Sequence, residues 1–111
     1  MKFTFTKYFC FSSSFSKGAQ IFGHNYILGV TTDWLEEGDQ RIFEKKINEA
    51  LISKIHSHDL GLHVDYFKNV SIDDRAVLTV FSEIIRGEIA PLELRELTLE
   101  RDQKTLVRVT L

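Results

Sequence analysis

Near its N-terminus the chain alternates: Phe3, Phe5, Phe9 and Phe11 share one parity, interrupted by Lys7, and Cys10 falls on the other. Period-two alternation of aromatic residues predicts a strand with one buried face. Ser12-Ser13-Ser14 is expected to end it, because short hydroxyl side chains compete for the backbone's hydrogen bonds. A short loop through Lys17-Gly18 leads to a second strand, Asn25 to Thr32. That strand is partly apolar on both parities, which suggests cover on one face and a subunit contact on the other.

Gly38-Asp39 opens a stretch of different period. Phe43, Ile47, Ala50, Leu51 and Ile55 recur at helical spacing, with Glu44, Lys45, Asn48 and Glu49 opposite. Residues His56 to His63, with Gly61 among them, break this pattern and read as a loop. Ser71-Ile72-Asp73-Asp74 resembles a capping signal with Ser71 as the cap. Val77, Val80, Phe81, Ile84 and Ile85 then give a second helix its apolar stripe, and Gly87 is the predicted stop. Leu97 and Leu99 alternate with Thr98 and Glu100, Asp102-Gln103-Lys104 turns the chain, and Thr105 to Leu111 forms a last strand. The order is ββααββ: an α+β domain spanning 1–111, with a four-stranded antiparallel sheet and both helices on one face. Such a sheet has two edges, and pairing them with another subunit is the expected protection.

Composition narrows the function classes. Of the 111 residues, 43% are hydrophobic and 27% charged, which is enough apolar surface to offset the entropy of ordering. The formal charge of -2 provides no basic field for nucleic acid or anionic lipid. One cysteine excludes an internal disulfide and fits a reducing compartment. No apolar run approaches a membrane span, and the alternating N-terminus is unlike a signal peptide, so the expected location is the cytoplasm.

Phe22-Gly23-His24-Asn25-Tyr26, opening the second strand, is the most distinctive segment. It resembles the His-Gly-His-Asn-Tyr motif of the 6-pyruvoyl tetrahydropterin synthase and 6-carboxytetrahydropterin synthase family. Phe9-Cys10-Phe11-Ser12-Ser13-Ser14-Phe15 is similar to that family's Phe-Ser-Ala-x-His segment, and the element order agrees along nearly the whole chain. The resemblance implies the tunnelling fold, in which sheets of several subunits close into a barrel, commonly in hexamers made of two trimers. A trimer or hexamer is therefore the expected homo-oligomer, with ligand pockets between subunits.

The family's chemistry carries over poorly. Three histidines hold its zinc ion, and the matching positions here are Phe15, Phe22 and His24. Phenylalanine has no lone pair, and zinc needs three or four nitrogen, sulfur or oxygen donors. No cofactor is therefore expected, with Phe15 and Phe22 filling the volume of the metal site. The family's catalytic cysteine falls at Gly18. Its Leu-Asp-His segment, which assists proton transfer, corresponds to Ser57-His58-Asp59, with histidine and acid in reversed order. A Pro-Thr-Ser-Glu-Asn helix start resembles Ser71 to Arg75 and retains an acid at Asp74. The glutamate that anchors the pterin falls, by parity with Leu97 and Leu99, at Arg101, a donor-only side chain that favours an anion.

Competing readings follow for each residue. His24 is a ligand-binding or structural histidine. His56, His58 and His63 with Asp59 and Asp65 form a solvated loop rather than a metal cluster. His58 and Asp59 are the candidate catalytic pair, although neighbours on a strand point apart. Cys10 reads as a buried or half-buried structural thiol, because neither a base nor a positive neighbour accompanies it. Arg101 is either a ligand-binding cation or a solvated residue, and Trp34 and Leu35 are either an exposed contact or a lid on the core. Two functions follow. One is an oligomeric homologue that has lost zinc-dependent catalysis and binds a pterin-like or anionic small molecule through His24, Arg101 and Asp74. The other is a divergent lyase acting on dihydroneopterin triphosphate.

Overall fold

The phenylalanine-rich alternation forms strand β1 (Thr4–Lys17), which pairs antiparallel with β2 (Gln20–Asp33) from Thr4↔Asp33 to Lys17↔Gln20. The computed structural model describes residues 1–17, 20–60 and 73–111, with residues 15–17, 20–22 and 59 described by backbone alone. Ser12–Ser14 do not end β1, contrary to the sequence expectation. Their backbones pair with Asn25, His24 and Gly23, and two of the hydroxyls find partners outside the ladder. Ser12 Oγ donates to Asn25 Oδ1 and Ser13 Oγ to the Ile55 carbonyl, each at 2.7 Å, so neither competes with the strand. For the same reason β2 begins five residues earlier than Asn25.

Helix α1 (Glu37–Ile47) begins one residue before the expected Gly38, with Glu37 and Asp39 suitably placed against the positive end of its dipole. It continues through a π-helical segment (Asn48–Ile52) into the short α2 (Ser53–Ile55). Phe43, Ile47, Leu51 and Ile55 are all buried at four-residue steps. On a regular α-helix each such step rotates the side chain by about 40° away from the core. The wider π turn takes up that rotation and keeps Leu51 and Ile55 facing inward.

The expected loop after this helix contains a two-residue strand, β3 (His58–Asp59), which lies parallel to Ser13–Ser14 of β1. The second long helix, α3 (Asp74–Ile89), differs from the reading at both ends. Its cap is Asp73, whose Oδ1 accepts from the Ala76 N–H at 2.8 Å; Ser71, the predicted cap, lies outside the described residues. Gly87 does not stop it. The helix runs two residues further, to Ile89, and ends before Ala90-Pro91, where proline cannot continue the hydrogen-bonding pattern. Strands β4 (Leu94–Arg101) and β5 (Thr105–Thr110) complete the sheet in the order β3-β1-β2-β4-β5. The four long strands are antiparallel, as predicted.

Both long helices cover one face. Phe9, Phe11, Tyr26, Leu28, Val30, Leu97 and Leu99 of the sheet pack with Phe43 and Ile47 of α1 and Val77, Phe81 and Ile85 of α3. Phe11 lies between Tyr26, stacked at 5.0 Å, and the edge of Phe81 at 5.9 Å. The opposite face carries Tyr8 and Cys10. Cys10 is exposed, not buried or half-buried as expected, because among the described residues no helix packs over its parity. A Cβ at Gly29 on that face would collide with Thr98 Oγ1 and approach Tyr8 Cε1 to 3.1 Å, so glycine lets these two side chains close over the strand.

At the far end of the sheet Arg95 donates to both carboxylate oxygens of Asp33 at 3.0 Å. Leu35 caps the core there, whereas Trp34 is exposed and meets the edge of Phe3 at 6.2 Å.

Candidate functional site

At the other end of the sheet, Ser12–Ser14 of β1 lie beside Gly23–Asn25 of β2, with the β4–β5 turn on one side and Ser57–His58 on the other. Together they line a cleft of about 370 Å³. The turn is tight: Asp102 and Gln103 adopt left-handed φ values of 53° and 59°, and the Lys104 N–H closes on the Arg101 carbonyl at 3.0 Å. Aspartate enters this region more readily than most residues, because its short side chain can bond locally.

That geometry delivers the Asp102 carboxylate to β2. The Asp102 N–H donates to the Asn25 carbonyl at 2.7 Å, and the Asn25 N–H returns a bond to Asp102 Oδ1 at 2.9 Å. Oδ2 meets His24 Nδ1 at 2.6 Å. The Asn25 N–H, followed by His24, holds the Asp102 carboxyl below the usual carboxylate range.

His24 also lies edge-on to Tyr26, with ring centroids 5.8 Å apart. Tyr26 is 3% exposed, and its hydroxyl is pushed up to about 12, first by burial and then by the negative charge of Asp74. It is therefore a neutral phenol at physiological pH. Arg101 opposes this shift, and Asp102 adds to it. Tyr26 thus sits among His24, Asp102, Arg101 and Asp74, groups brought together from β2, the turn, β4 and the first turn of α3.

The predicted residues fall into separate groups within this cluster. Arg101 and Asp74 form an ion pair at 3.6 Å, and Arg101 also reaches Thr105 Oγ1 at 3.4 Å. The charge of Arg101 is thereby met within the chain. His24 is paired with Asp102 instead of with either of them. His58 lines the same cleft as His24, and its Nδ1 bonds the His56 carbonyl at 2.8 Å. His56 accepts the Ser12 N–H on its own Nδ1 at 3.1 Å, so both imidazoles make local contacts along the sheet edge. Asp59, described by backbone alone, is opposite Ser14. His63, Asp65 and Gly18 lie outside the described residues.

Phe15 and Phe22, expected from the resemblance to stand at two zinc-ligand positions, are Cα partners across the β1–β2 ladder. His24 is two residues along, opposite Ser13. Two of these three positions have no donor atom, and one imidazole falls short of the three or four donors zinc needs, so this set does not fit a zinc ion. Among the described residues, no three His, Cys, Asp or Glu side chains are grouped to hold a metal.

Sequence reasoning missed Asp102, read only as part of a turn, and Tyr26, read only as part of a motif. Asp102 is 78 residues from His24, and no local pattern marks the pairing. The signal available for Tyr26 was its parity with Leu28 and Val30, which predicts an aromatic hydroxyl at the buried edge of the core.

No family model and no curated protein matches the sequence. Among solved structures, that of Caenorhabditis elegans 6-pyruvoyl tetrahydropterin synthase matches with a TM-score of 0.81. The match covers 97% of this chain and 94% of that one at 14% identity.

Proposed function

On the fold of 6-pyruvoyl tetrahydropterin synthase, the tunnelling fold indicated by the segment around His24, we propose a homologue that has lost zinc-dependent catalysis. It acts as a homo-oligomeric binder of a small planar ligand in the cleft beside His24 and Asp102. The observation that carries this reading is the pairing of Phe15 with Phe22 across the hairpin, where the resemblance places two metal-binding histidines. Losing two of three donors removes most of the enthalpy that holds a zinc ion, since damage to outer-shell partners alone costs about ten- to a hundredfold in affinity. The cleft, at about 370 Å³, is within the range of small-ligand sites, and the serines, Asn25 and Asp102 around it supply convergent polar groups.

Assembly is part of the proposal. Among the described residues β5 has a strand partner on one side only, and Tyr8 and Leu106 are exposed apolar side chains on the sheet. Pairing such edges between subunits satisfies the backbone groups and protects the chain against indiscriminate association. A trimer or hexamer closed through these edges is expected in light scattering. No helix among the described residues is long and apolar enough to cross a membrane, and the single exposed thiol of Cys10 fits a reducing, cytoplasmic setting.

Metal analysis after exhaustive dialysis tests the central claim: zinc well below one equivalent per chain is expected, and one full equivalent overturns it. The second reading, a divergent lyase acting on dihydroneopterin triphosphate, is favoured by one feature. A histidine oriented by a carboxylate is an arrangement used for proton transfer. Turnover of that substrate separates the two readings, because the binding homologue gives no product above background.

A further inference from the structure

Helix α1 has its charges met within the chain at every position but two. Arg41 pairs with Glu37 at 3.4 Å, Lys45 with Glu49 at 3.9 Å, and Glu44 with Lys7 of β1 at 3.3 Å. Among the described residues, Asp39 and Lys46 have no ion-pair partner, and both are exposed. Seven residues separate them, so they share one face of the helix, about 10 Å apart along its axis. Ile42 lies between them on that face and is 55% exposed although it is apolar. Next to these three, Leu35, Phe43, Ile89 and Leu92 floor a cleft of about 240 Å³ between α1 and the chain leaving α3. That volume is below the roughly 300–1,000 Å³ of small-ligand sites, and its apolar floor suits an inserted side chain.

We propose that this face is a two-fold contact, in which α1 packs antiparallel against α1 of a second copy of the chain and Asp39 of each copy meets Lys46 of the other.

The charge pattern is self-complementary only in that arrangement. The two unmatched charges are opposite in sign, and the point midway between them falls at residues 42 and 43. Turning a second helix about that point brings Asp39 opposite Lys46 twice, and carries Ile42 of each copy to the cleft of the other. A parallel pair would set Asp39 against Asp39 and Lys46 against Lys46. A two-fold contact requires such a surface, since each copy must supply both halves of it. Antiparallel helices also place the positive end of each dipole beside the negative end of its neighbour. The apolar centre contributes burial, and the charges at its rim fix the orientation. This contact lies on the helical layer, away from the strand edges, and does not depend on the reading of the cleft beside His24.

Sedimentation analysis of the full chain at micromolar concentration tests it. An even number of copies is expected, with pairing weakened in high salt. Asp39→Lys alone makes both symmetric contacts Lys against Lys, and Lys46→Asp alone makes both Asp against Asp. Each should raise the dissociation constant at least about tenfold, read as half the mass where the parent remains paired. The double variant Asp39→Lys/Lys46→Asp restores opposite charges at both contacts, as does an equimolar mixture of the two single variants, and both should recover the parent's mass. An odd number of copies in the parent, one included, an unchanged mass in the single variants, or a mixture that does not pair overturns the proposal. A face reserved for a different protein or for a small zwitterion leaves the parent's mass untouched by these substitutions, and so overturns it too. Circular dichroism on the same samples checks folding. Where a single variant unfolds, Ile42→Ser at the exposed centre of the face replaces it and should likewise halve the mass, an unchanged mass counting against the proposal. A dimer that closes no ring overturns the edge assembly and leaves this contact standing, whereas a ring of three does the reverse.

Discussion

Phe11 and Cys10 are adjacent in β1, and the structure places them in opposite environments. Phe11 is buried between the stacked ring of Tyr26 and the edge of Phe81, whereas Cys10 is exposed on the uncovered face of the sheet. Replacing Phe11 with alanine removes both ring contacts and leaves a cavity that the strand, paired along its whole length with β2, cannot collapse to fill. Truncating a buried aromatic in this way costs about 3–5 kcal/mol. Of this, roughly 0.5–1.5 kcal/mol belongs to each aromatic pair beyond the area buried. Against a total stability of roughly 5–15 kcal/mol, that is a large fraction. At about 4 °C per kcal/mol for a chain of this size, the melting temperature should fall by about 12–20 °C. Cys10→Ala should stay within about 0.5 kcal/mol of the parent. The assay is thermal and urea unfolding followed by circular dichroism at matched protein concentration, since subunit association would otherwise shift both transitions. A Phe11→Ala protein that melts within about 2 °C of the parent, or a Cys10→Ala protein that loses as much as Phe11→Ala, would refute the assignment of faces on which the description of the site depends.

Three further outcomes are expected. Tyr26 has its folded pKa raised to about 12, above the ordinary tyrosine value of about 10, so the stability it contributes is fully present below pH 10 and is lost as pH climbs toward 12. The loss is on the order of 2–3 kcal/mol. Urea midpoints compared between pH 9 and pH 12 should show this extra loss in the parent and not in Tyr26→Phe. The double variant Phe15→His/Phe22→His, which restores donors at the ladder pair beside His24, should retain close to one zinc per chain through dialysis while the parent does not. Metal analysis of the two proteins side by side decides this. Asp73→Ala should cost about 1 kcal/mol by removing the acceptor for the Ala76 N–H at the start of α3, read as a lower urea midpoint at unchanged slope.

Much of the architecture is legible along the chain because it depends on period and spacing. Alternating phenylalanines mark β1, the spacing of Phe43, Ile47, Leu51 and Ile55 marks the first helix, and Phe22-Gly23-His24-Asn25-Tyr26 marks the fold to which the hairpin belongs. That Phe15 and Phe22 offer no donor atom is equally local, since a residue type alone tells whether a lone pair is present. The errors occurred where partners lie far away. Three serines look like a strand end until Asn25 and the Ile55 carbonyl take up two of their hydroxyls. Gly87 looks like a stop until the buried Ile89 extends the helix, and Cys10 looks half-buried until both helices prove to share the other face.

The sequence by itself therefore determined which residues alternate, which recur at helical spacing and which positions of the His24 hairpin have no donor atom, because these properties belong to a side chain or to its near neighbours. Only the tertiary structure decided that Asp102 meets His24, that Arg101 is held by Asp74, and that Tyr26 is enclosed by all four. Those contacts depend on the register between β2 and β4, which places residues 25 and 102 side by side. That register is set by every pairing along the ladder together and is written in no single segment.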